Sequence, residues 1–241
     1  MSIRMSVCGI CDIGCKKPNN EDMVLLHNDM FRDGIRQAEL NNAGRVVIAL
    51  ADGIGGLNKG EEASERALSE LIKLLSKIPD DLTNEELREV FNVYVSESNS
   101  SMSHNMGSTL AGLFFYQGKL FRYHAGDSRI YLMRSGKLTR LTVDHSLKES
   151  GGMPDAPSNI ITNALGGVES SFIEFAEIEQ PFFTNNIYLL SSDGLHDIVS
   201  QDEIADTLTL PRPAEKLLAK AKKWGGKDNI SIITIKIKAE I

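Results

Sequence analysis

Asp52, Asp193 and Asp228 stand where apolar, strand-like runs of the chain meet glycine or asparagine: VVIALADGIGG (46–56), NIYLLSSDGLHD (186–197) and GGKDNISIITIKI (225–237). The first two runs end in Asp-Gly. The third starts just after Asp-Asn, so an antiparallel neighbour would carry Asp228 to the same sheet edge. Another acidic pair, Glu21-Asp22 in KKPNNEDMVLL, opens a further apolar run. Carboxylates crowded on one rim repel and take up protons unless a cation compensates them. Oxygen donors without His or Cys suit hard ions, Mg²⁺ or Mn²⁺ ahead of Zn²⁺. The glycines after Asp52 would let backbone carbonyls and metal-bound waters approach where a Cβ would obstruct them. Asp-Gly also makes ordinary turns, but its recurrence at strand ends beside Glu21-Asp22 favours a metal rim.

Such a rim needs elements to position it. Extended runs are expected at about 2–13, 22–29, 45–51, 109–117, 119–125, 128–134, 137–142, 172–179, 186–191 and 230–238, most rich in Val, Ile, Phe and Tyr and closed by Gly, Asn or Asp. Those between 109 and 142 follow almost without a break, with turns at Gln117-Gly118 and Ser135-Gly136, and read as one antiparallel meander. Ala63, Ala67, Leu68, Leu71, Leu74, Leu75 and Ile78 form a stripe at helical period over 61–78, stopped by Pro79. Thr83 with Glu86 has capping-box spacing and opens a second helix through Leu87, Val90, Phe91 and Tyr94, which runs into the polar loop SESNSSMSHN (96–105). Ser200 with Glu203 repeats the capping pattern, and RPAEKLLAKAKKWGG (212–226) ends in Lys and Gly as helix C-termini prefer. Helix pairs in the first half and near the end, with antiparallel strands between, give an α+β fold of stacked sheets with helices outside, not the alternating βαβ of a dinucleotide binder.

The 241 residues, 41% hydrophobic and 24% charged, suit one large domain. A formal charge of −7 with dispersed Lys and Arg argues against a nucleic-acid partner. The N-terminal MSIRMSVCGICDIG lacks the apolar core of a signal peptide, and no stretch reaches membrane-helix length, so a cytoplasmic protein without a membrane partner is expected. Cys8 and Cys11 have CxxC spacing, but on a strand they point to opposite faces and no second pair follows; with Cys15 they read as free thiols. P-loop, nucleophile-elbow and Rossmann signatures are absent, which leaves the chemistry to metals.

NNED (19–22), ALADGIGG (49–56), GSTLAGL (107–113), HAGDSRIY (124–131), TVDHS (142–146), NALGG (163–167), SSDGLHD (191–197) and KDNISIITI (227–235) occur in the order found in the metal-dependent, or type 2C, protein phosphatases, and the chain resembles their compact bacterial members over nearly its whole length. The resemblance implies one domain over 1–241, a four-layer α/β/β/α sandwich of two antiparallel sheets flanked by helix pairs, with two Mn²⁺ or Mg²⁺ ions at one edge. It implies that Asp52 bridges both ions, that Gly53 gives a backbone carbonyl, and that Asp193 and Asp228 complete one shell. Glu21 and Asp22 match the acidic pair at the second ion, and Asp127 matches the carboxylate that forms a third, weaker site with Asp193 in many members. The activity implied is hydrolysis of phosphoserine and phosphothreonine in proteins by a hydroxide held between the ions, without a covalent intermediate. Phosphoprotein substrates, a cognate Ser/Thr kinase with its targets and a monomeric state are further implications.

The chain departs from the family pattern in several places. The family arginine that grips the substrate phosphate is replaced by Lys17, which keeps the charge but loses the planar fork. Ile54 replaces the eukaryotic histidine proposed to protonate the leaving group, leaving a metal-bound water, His196 or His145 as candidates. The flap, about 145–162, is short and Gly/Pro-rich. Asn229 is expected to orient Asp228 and its strand, and Ser108 and Thr109 to pack beside the site. Two other functions remain open on the sequence: a non-catalytic phosphoprotein-binding module of the same fold, and a phosphatase for a small phosphate ester.

Overall fold

The computed structural model describes residues 3–41, 44–55, 59–103, 105–149, 152–157, 160–166 and 171–239. Gly56 of the DGIGG motif, His104 of the polar loop, residues 150, 151, 158 and 159 of the flap and Gly167 of NALGG lie outside the described residues.

In chain order the elements are β1 (Ile3–Asp12), β2 (Asp22–Leu26), β3 (Asp29–Phe31), β4 (Gly34–Asn41), β5 (Val46–Ile54), α1 (Lys59–Leu75), α2 (Asn84–Ser101), β6 (Gly107–Ser108), β7 (Leu110–Tyr116), β8 (Lys119–Ala125), β9 (Arg129–Arg134), β10 (Lys137–Arg140), β11 (Leu165–Gly166), β12 (Glu174–Glu177), β13 (Ile187–Ser191), α3 (Asp193–His196), α4 (Gln201–Leu208), α5 (Pro213–Lys223) and β14 (Ile230–Ala239). One sheet runs β10-β9-β13-β14-β1-β4; the other runs β11-β6-β5-β7-β8-β12, with the β2–β3 hairpin attached through β5. Every strand pairing is antiparallel.

Alternation along the strands builds three apolar layers. Val24, Ile48, Leu50, Leu113, Leu190, Ile233 and Ile235 fill the space between the sheets. The opposite face of the second sheet packs Ala49, Phe114 and Tyr123 against Ala67, Leu71 and Phe91 of α1 and α2. The outer face of the first packs Ile10, Leu189 and Ile232 against Leu195, Ile204 and Leu217 of α3, α4 and α5. This is the expected α/β/β/α sandwich. Both capping boxes form, Thr83 with Glu86 and Ser200 with Glu203. Cys11 sits in the inter-sheet layer while Cys8 packs against the outer one, on opposite faces as expected, and Cys8, Cys11 and Cys15 are all free.

Three expectations are corrected. The strands between 109 and 142 are not one meander: β7–β8 form a hairpin in one sheet and β9–β10 a hairpin in the other. The chain changes sheets at Gly126-Asp127-Ser128, where Gly126 has φ +101° and Thr109 Cβ would lie 2.8 Å from an added Cβ. Second, α2 does not stop near Tyr94 but continues through the polar SESNSS run to Ser101, because Val95 and Ser98 lie on its buried face. Third, β4 forms without alternating apolar residues, as a largely exposed edge strand paired only to β1.

Phe91 anchors the α1–α2 layer, its ring 4.8 Å from Tyr123, 4.6 Å from Phe175, 6.3 Å from Phe114 and 6.4 Å from Tyr94. Phe91→Ala should therefore lower the unfolding free energy by about 3–5 kcal/mol, read as a fall in denaturant midpoint at constant slope. A loss under about 1 kcal/mol would show that this layer is not tightly packed.

Candidate metal centre

At one edge of the sandwich, Lys17, Glu21, Asp52, Gly53, Ile54, Gly55, Thr109, Asp127, Ile161 and Asp193 line a pocket of about 220 Å³. A larger groove of about 590 Å³ lies beside Cys8, Gln37 and Thr234, where no such set of carboxylates converges.

Backbone pairing places the acidic residues. Asp52, near the end of β5, stands opposite Asp22 at the start of β2. Thr109 holds Asp52 at both ends: the Asp52 N–H donates to Thr109 Oγ1 (3.0 Å), and the Thr109 N–H donates to the Asp52 carbonyl (2.8 Å). The Gly53 N–H donates to the Glu21 carbonyl (3.1 Å), and the Glu21 N–H donates to Asn229 Oδ1 (2.8 Å). Asn229 Nδ2 reaches back to the carbonyls of Ile13 (3.0 Å) and Asn19 (2.9 Å), and its N–H donates to Asp228 Oδ1 (2.8 Å). The bond to Asp228 agrees with the orienting role expected of Asn229, and its side chain also ties the loop bearing Lys17 and Glu21 to the start of β14. From the other sheet, β13 pairs with β14 and delivers Asp193 and Asp228 to the same edge, and Ser192 Oγ donates to Asp22 Oδ2 (2.9 Å). Asp127, on the crossing between sheets, completes the group.

Every acidic residue expected at the rim is therefore brought there, though Asp22 is 1% exposed and lies behind the pocket wall. Lys17 Nζ lies 2.7 Å from Asp228 Oδ1. The glycines admit backbone carbonyls, as expected, and the carbonyls admitted come from neighbouring elements. A Cβ on Gly53 would lie 1.9 Å from the Gly60 carbonyl of α1, and one on Gly194 would lie 1.9 Å from the Asn229 carbonyl. Each Asp-Gly glycine thus lets a neighbouring backbone pack against the strand end.

His196 and His145 are not at the rim. Ser191 Oγ pairs with His196 Nδ1 at 2.9 Å, and burial first, then Arg129 and Arg140, holds that ring well below the usual histidine range. His145 is 3% exposed behind the 126–128 crossing. Ile54 is 38% exposed, and Ile161 of the flap faces the pocket. The sequence reading missed a group of two buried histidines and a part-exposed glutamate, His124, His145 and Glu174, whose potential ligand atoms all lie within 4.8 Å of one another. The histidines belong to two of the ordered motifs, but Glu174 reaches His124 only through the β8–β12 register, which no local pattern announces.

The carboxylates carry the electrostatic signature of a cation site. Burial first, then Asp22, Asp193, Asp127 and Asp228, pushes Asp52 well above the usual aspartate range. Asp193 is raised well above it by burial and then Asp127 and Asp228. Burial lifts Asp22 to about 6 against hydrogen bonds from Ser231 and Ser192, and burial with Asp144 lifts Asp127 to about 7. Asp22 Oδ1 and Asp193 Oδ1 are buried without a hydrogen-bond partner. Burying such oxygens unpaired is costly; divalent cations with a preference for oxygen would satisfy them, so the residues present fit Mn²⁺ or Mg²⁺.

A raised carboxylate pKa means that the native state binds more protons than the unfolded chain between the two values, so stability falls as pH rises through that window. For Asp127 the window runs from about 4, the ordinary aspartate value, to about 7. In EDTA, Asp127→Asn should therefore raise the melting temperature at pH 8 and do so much less at pH 4.5. An equal shift at both pH values would remove Asp127 from the repelling group.

The sequence matches the protein phosphatase 2C family model over residues 26–220. Protein phosphatase PhpP of Streptococcus pneumoniae is 31% identical over 260 aligned residues, covering 98% of this chain and 99% of that protein. The serine/threonine phosphatase stp of Listeria monocytogenes is 33% identical over 218 residues, covering 81% and 86%. Among solved structures, the S. agalactiae serine/threonine phosphatase superposes with a TM-score of 0.81 at 26% identity, covering 97% of this chain and all of that one (100%). The catalytic domain of the phosphatase PstP, in complex with two manganese ions, superposes with a TM-score of 0.73 at 28% identity, covering 98% and 100%. With its sandwich, its ordered motifs and a family match over most of its length, the chain belongs to the protein phosphatase 2C family of metal-dependent phosphatases.

Proposed function

We propose that this protein serine/threonine phosphatase works at a centre of two divalent ions, held by Asp52, the Gly53 carbonyl, Asp193 and Asp228 together with Glu21 and Asp22, with Asp127 beside Asp193 for a third, weaker ion. The observation that carries this reading is the convergence of these carboxylates from both sheets, with buried, unpartnered oxygens on Asp22 and Asp193. When bound, such ions supply a water acidic enough to attack phosphorus at neutral pH and neutralise charge on the phosphoryl oxygens.

The chain's own contribution is to fix the donors and meet the substrate. Thr109 and Asn229 hold the backbone on either side of the pocket. Lys17, at the pocket wall, offers an ammonium to the substrate phosphate; burial works against its charge, but Asp228 and Glu21 keep its pKa raised. No histidine lines the pocket among the described residues, so protonation of the leaving alkoxide falls to water there. Mn²⁺ is the first ion to test, because the PstP structure holds manganese.

The continuous inter-sheet layer supports reading 1–241 as one domain, and because one chain supplies the whole pocket lining, a monomer is sufficient for the site. Phosphoserine and phosphothreonine are made by kinases, so a Ser/Thr kinase shares its targets by chemical necessity. Free cysteines fit a reducing cytoplasm, and among the described residues no helix is long and apolar enough to cross a membrane.

Initial rates on a phosphothreonine peptide with Mn²⁺, with Mg²⁺ and with excess EDTA test the reading. Turnover should require the ion, and Asp193→Asn should lower kcat/KM by about 100-fold or more. A folded protein that shows no turnover with either ion would favour the binding module, and turnover of p-nitrophenyl phosphate without turnover of the peptide would favour a small ester. Lys17→Arg should lower KM for the peptide about threefold through two-pronged contact with the phosphate; an unchanged KM would place Lys17 off the substrate.

A further inference from the structure

The group behind the pocket has the composition of a transition-metal site: buried His124 and His145 with part-exposed Glu174, whose Oε2 lies 3.7 Å from His124 Nδ1, an atom without a hydrogen bond. Its hydrogen bonds assign it a different task. The Asn163 amide is fixed in orientation, because Asn163 Oδ1 accepts from the Phe172 N–H (3.0 Å) while Nδ2 donates to the Phe172 carbonyl (2.9 Å). The other proton of that Nδ2 points at His145 Nδ1, 2.7 Å away, and the Gly126 N–H donates to the same nitrogen at 3.2 Å. His145 Nδ1 thus faces two donors and must present its lone pair. The single ring proton sits on Nε2, directed at Glu174 Oε1 at 3.4 Å. A metal at this group would need the Nε2 lone pair, and freeing it would put a proton on Nδ1 against both donors.

We propose that His145 is a positioning residue for Asp127: its Nδ1 lone pair holds the Gly126 peptide, and Glu174 keeps the ring in the tautomer that leaves this lone pair free. The grip is two-way, since the His145 N–H also donates to the Gly126 carbonyl at 2.9 Å. The rest of the TVDHS segment zips along the crossing in the same manner. Thr142 Oγ1 accepts from the Ile130 N–H (3.2 Å), and Asp144 takes Arg129 Nη2 at 2.6 Å and Nε at 2.9 Å. Gly126 presses on Thr109, and Thr109 holds both ends of Asp52. A displaced Gly126 peptide would therefore shift Asp127 directly and disturb Asp52 through Thr109. Stacking of His124 on the His145 ring, with centroids 4.5 Å apart, and a tilted contact with Phe172 at 4.8 Å restrain the ring plane.

This inference rests on the reading of Asp127 as part of the metal centre, so Mn²⁺-dependent turnover by the wild type is established first and separately. The test then compares His145→Asn, whose amide oxygen can stand in for Nδ1, with His145→Gln, whose amide reaches only the Nε2 position. With Mn²⁺ and the phosphothreonine peptide, His145→Gln should lower kcat about tenfold or more with KM changed by less than about twofold, while His145→Asn stays within about threefold of wild type. Equal losses in the two variants, or no loss in either, would overturn the proposal. Should His145→Gln fail to fold, Asn163→Asp gives the second arm: it replaces the donor to Nδ1 with an acceptor and should lower kcat in the same way. Imidazole ¹⁵N spectra of the wild type report the tautomer directly. A His145 signal with the proton on Nε2, unmoved by Zn²⁺, is expected; a proton on Nδ1, or a Zn²⁺-dependent shift abolished by Glu174→Gln, would make the group a metal site and contradict the assignment.

Discussion

Like charge gathered out of water is the constraint on which the rest of this structure depends. Two carboxylates about 4 Å apart repel by about 4 kcal/mol at an effective dielectric near 20, and here Asp22, Asp52, Asp127, Asp193 and Asp228 act on one another at one edge of the sandwich. The pKa values of Asp22, Asp52, Asp127 and Asp193 are driven upward chiefly by burial and then by neighbouring carboxylates. A fold that tolerates this must hold the donors by backbone and neutral side chains. Thr109 grips Asp52, Asn229 grips Glu21, and Ser192 grips Asp22. Among the described residues, Lys17 is the cation in contact, placed against Asp228. Divalent ions would turn this repulsion into attraction, so an arrangement that is unfavourable by itself has the character of a cation site.

The sandwich makes the convergence possible because its edge collects strand ends from two sheets. β5 contributes Asp52 from one sheet, while β13 and β14 contribute Asp193 and Asp228 from the other. The crossing at Gly126-Asp127-Ser128 joins them covalently. That crossing has little regular structure of its own, and its conformation is set by the TVDHS segment and by Thr109. The geometry of the rim therefore depends on Thr109, which lines the pocket, and on the TVDHS segment, which does not.

Much of this was legible in the sequence. Asp52, Asp193 and Asp228 were found because each stands beside Gly or Asn at the end of a strongly apolar run, and burial of those runs is a local signal. The capping boxes at Thr83 and Ser200 were equally local. What escaped depended on partners distant in the chain. The sheet change at Gly126 looks like any tight turn until Thr109 is seen beneath it, and β4 is a strand only because β1 offers it an edge. The glycine after Asp52 is legible as a point of close backbone approach, but only packing shows which carbonyls arrive, that of Gly60 at Gly53 and that of Asn229 at Gly194. The sequence offers His145 as a candidate proton donor, but its burial and the two donors facing Nδ1 fit it to clamp the crossing.

The central claim, that this carboxylate rim is the metal centre, is tested most directly by anomalous diffraction from crystals grown with Mn²⁺. Two strong peaks are expected within the pocket, both in contact with Asp52, with Asp193 and Asp228 on one and the Glu21-Asp22 pair at the other, and with Lys17 displaced from Asp228. No peak in the pocket, or a peak only between His124, His145 and Glu174, would contradict it.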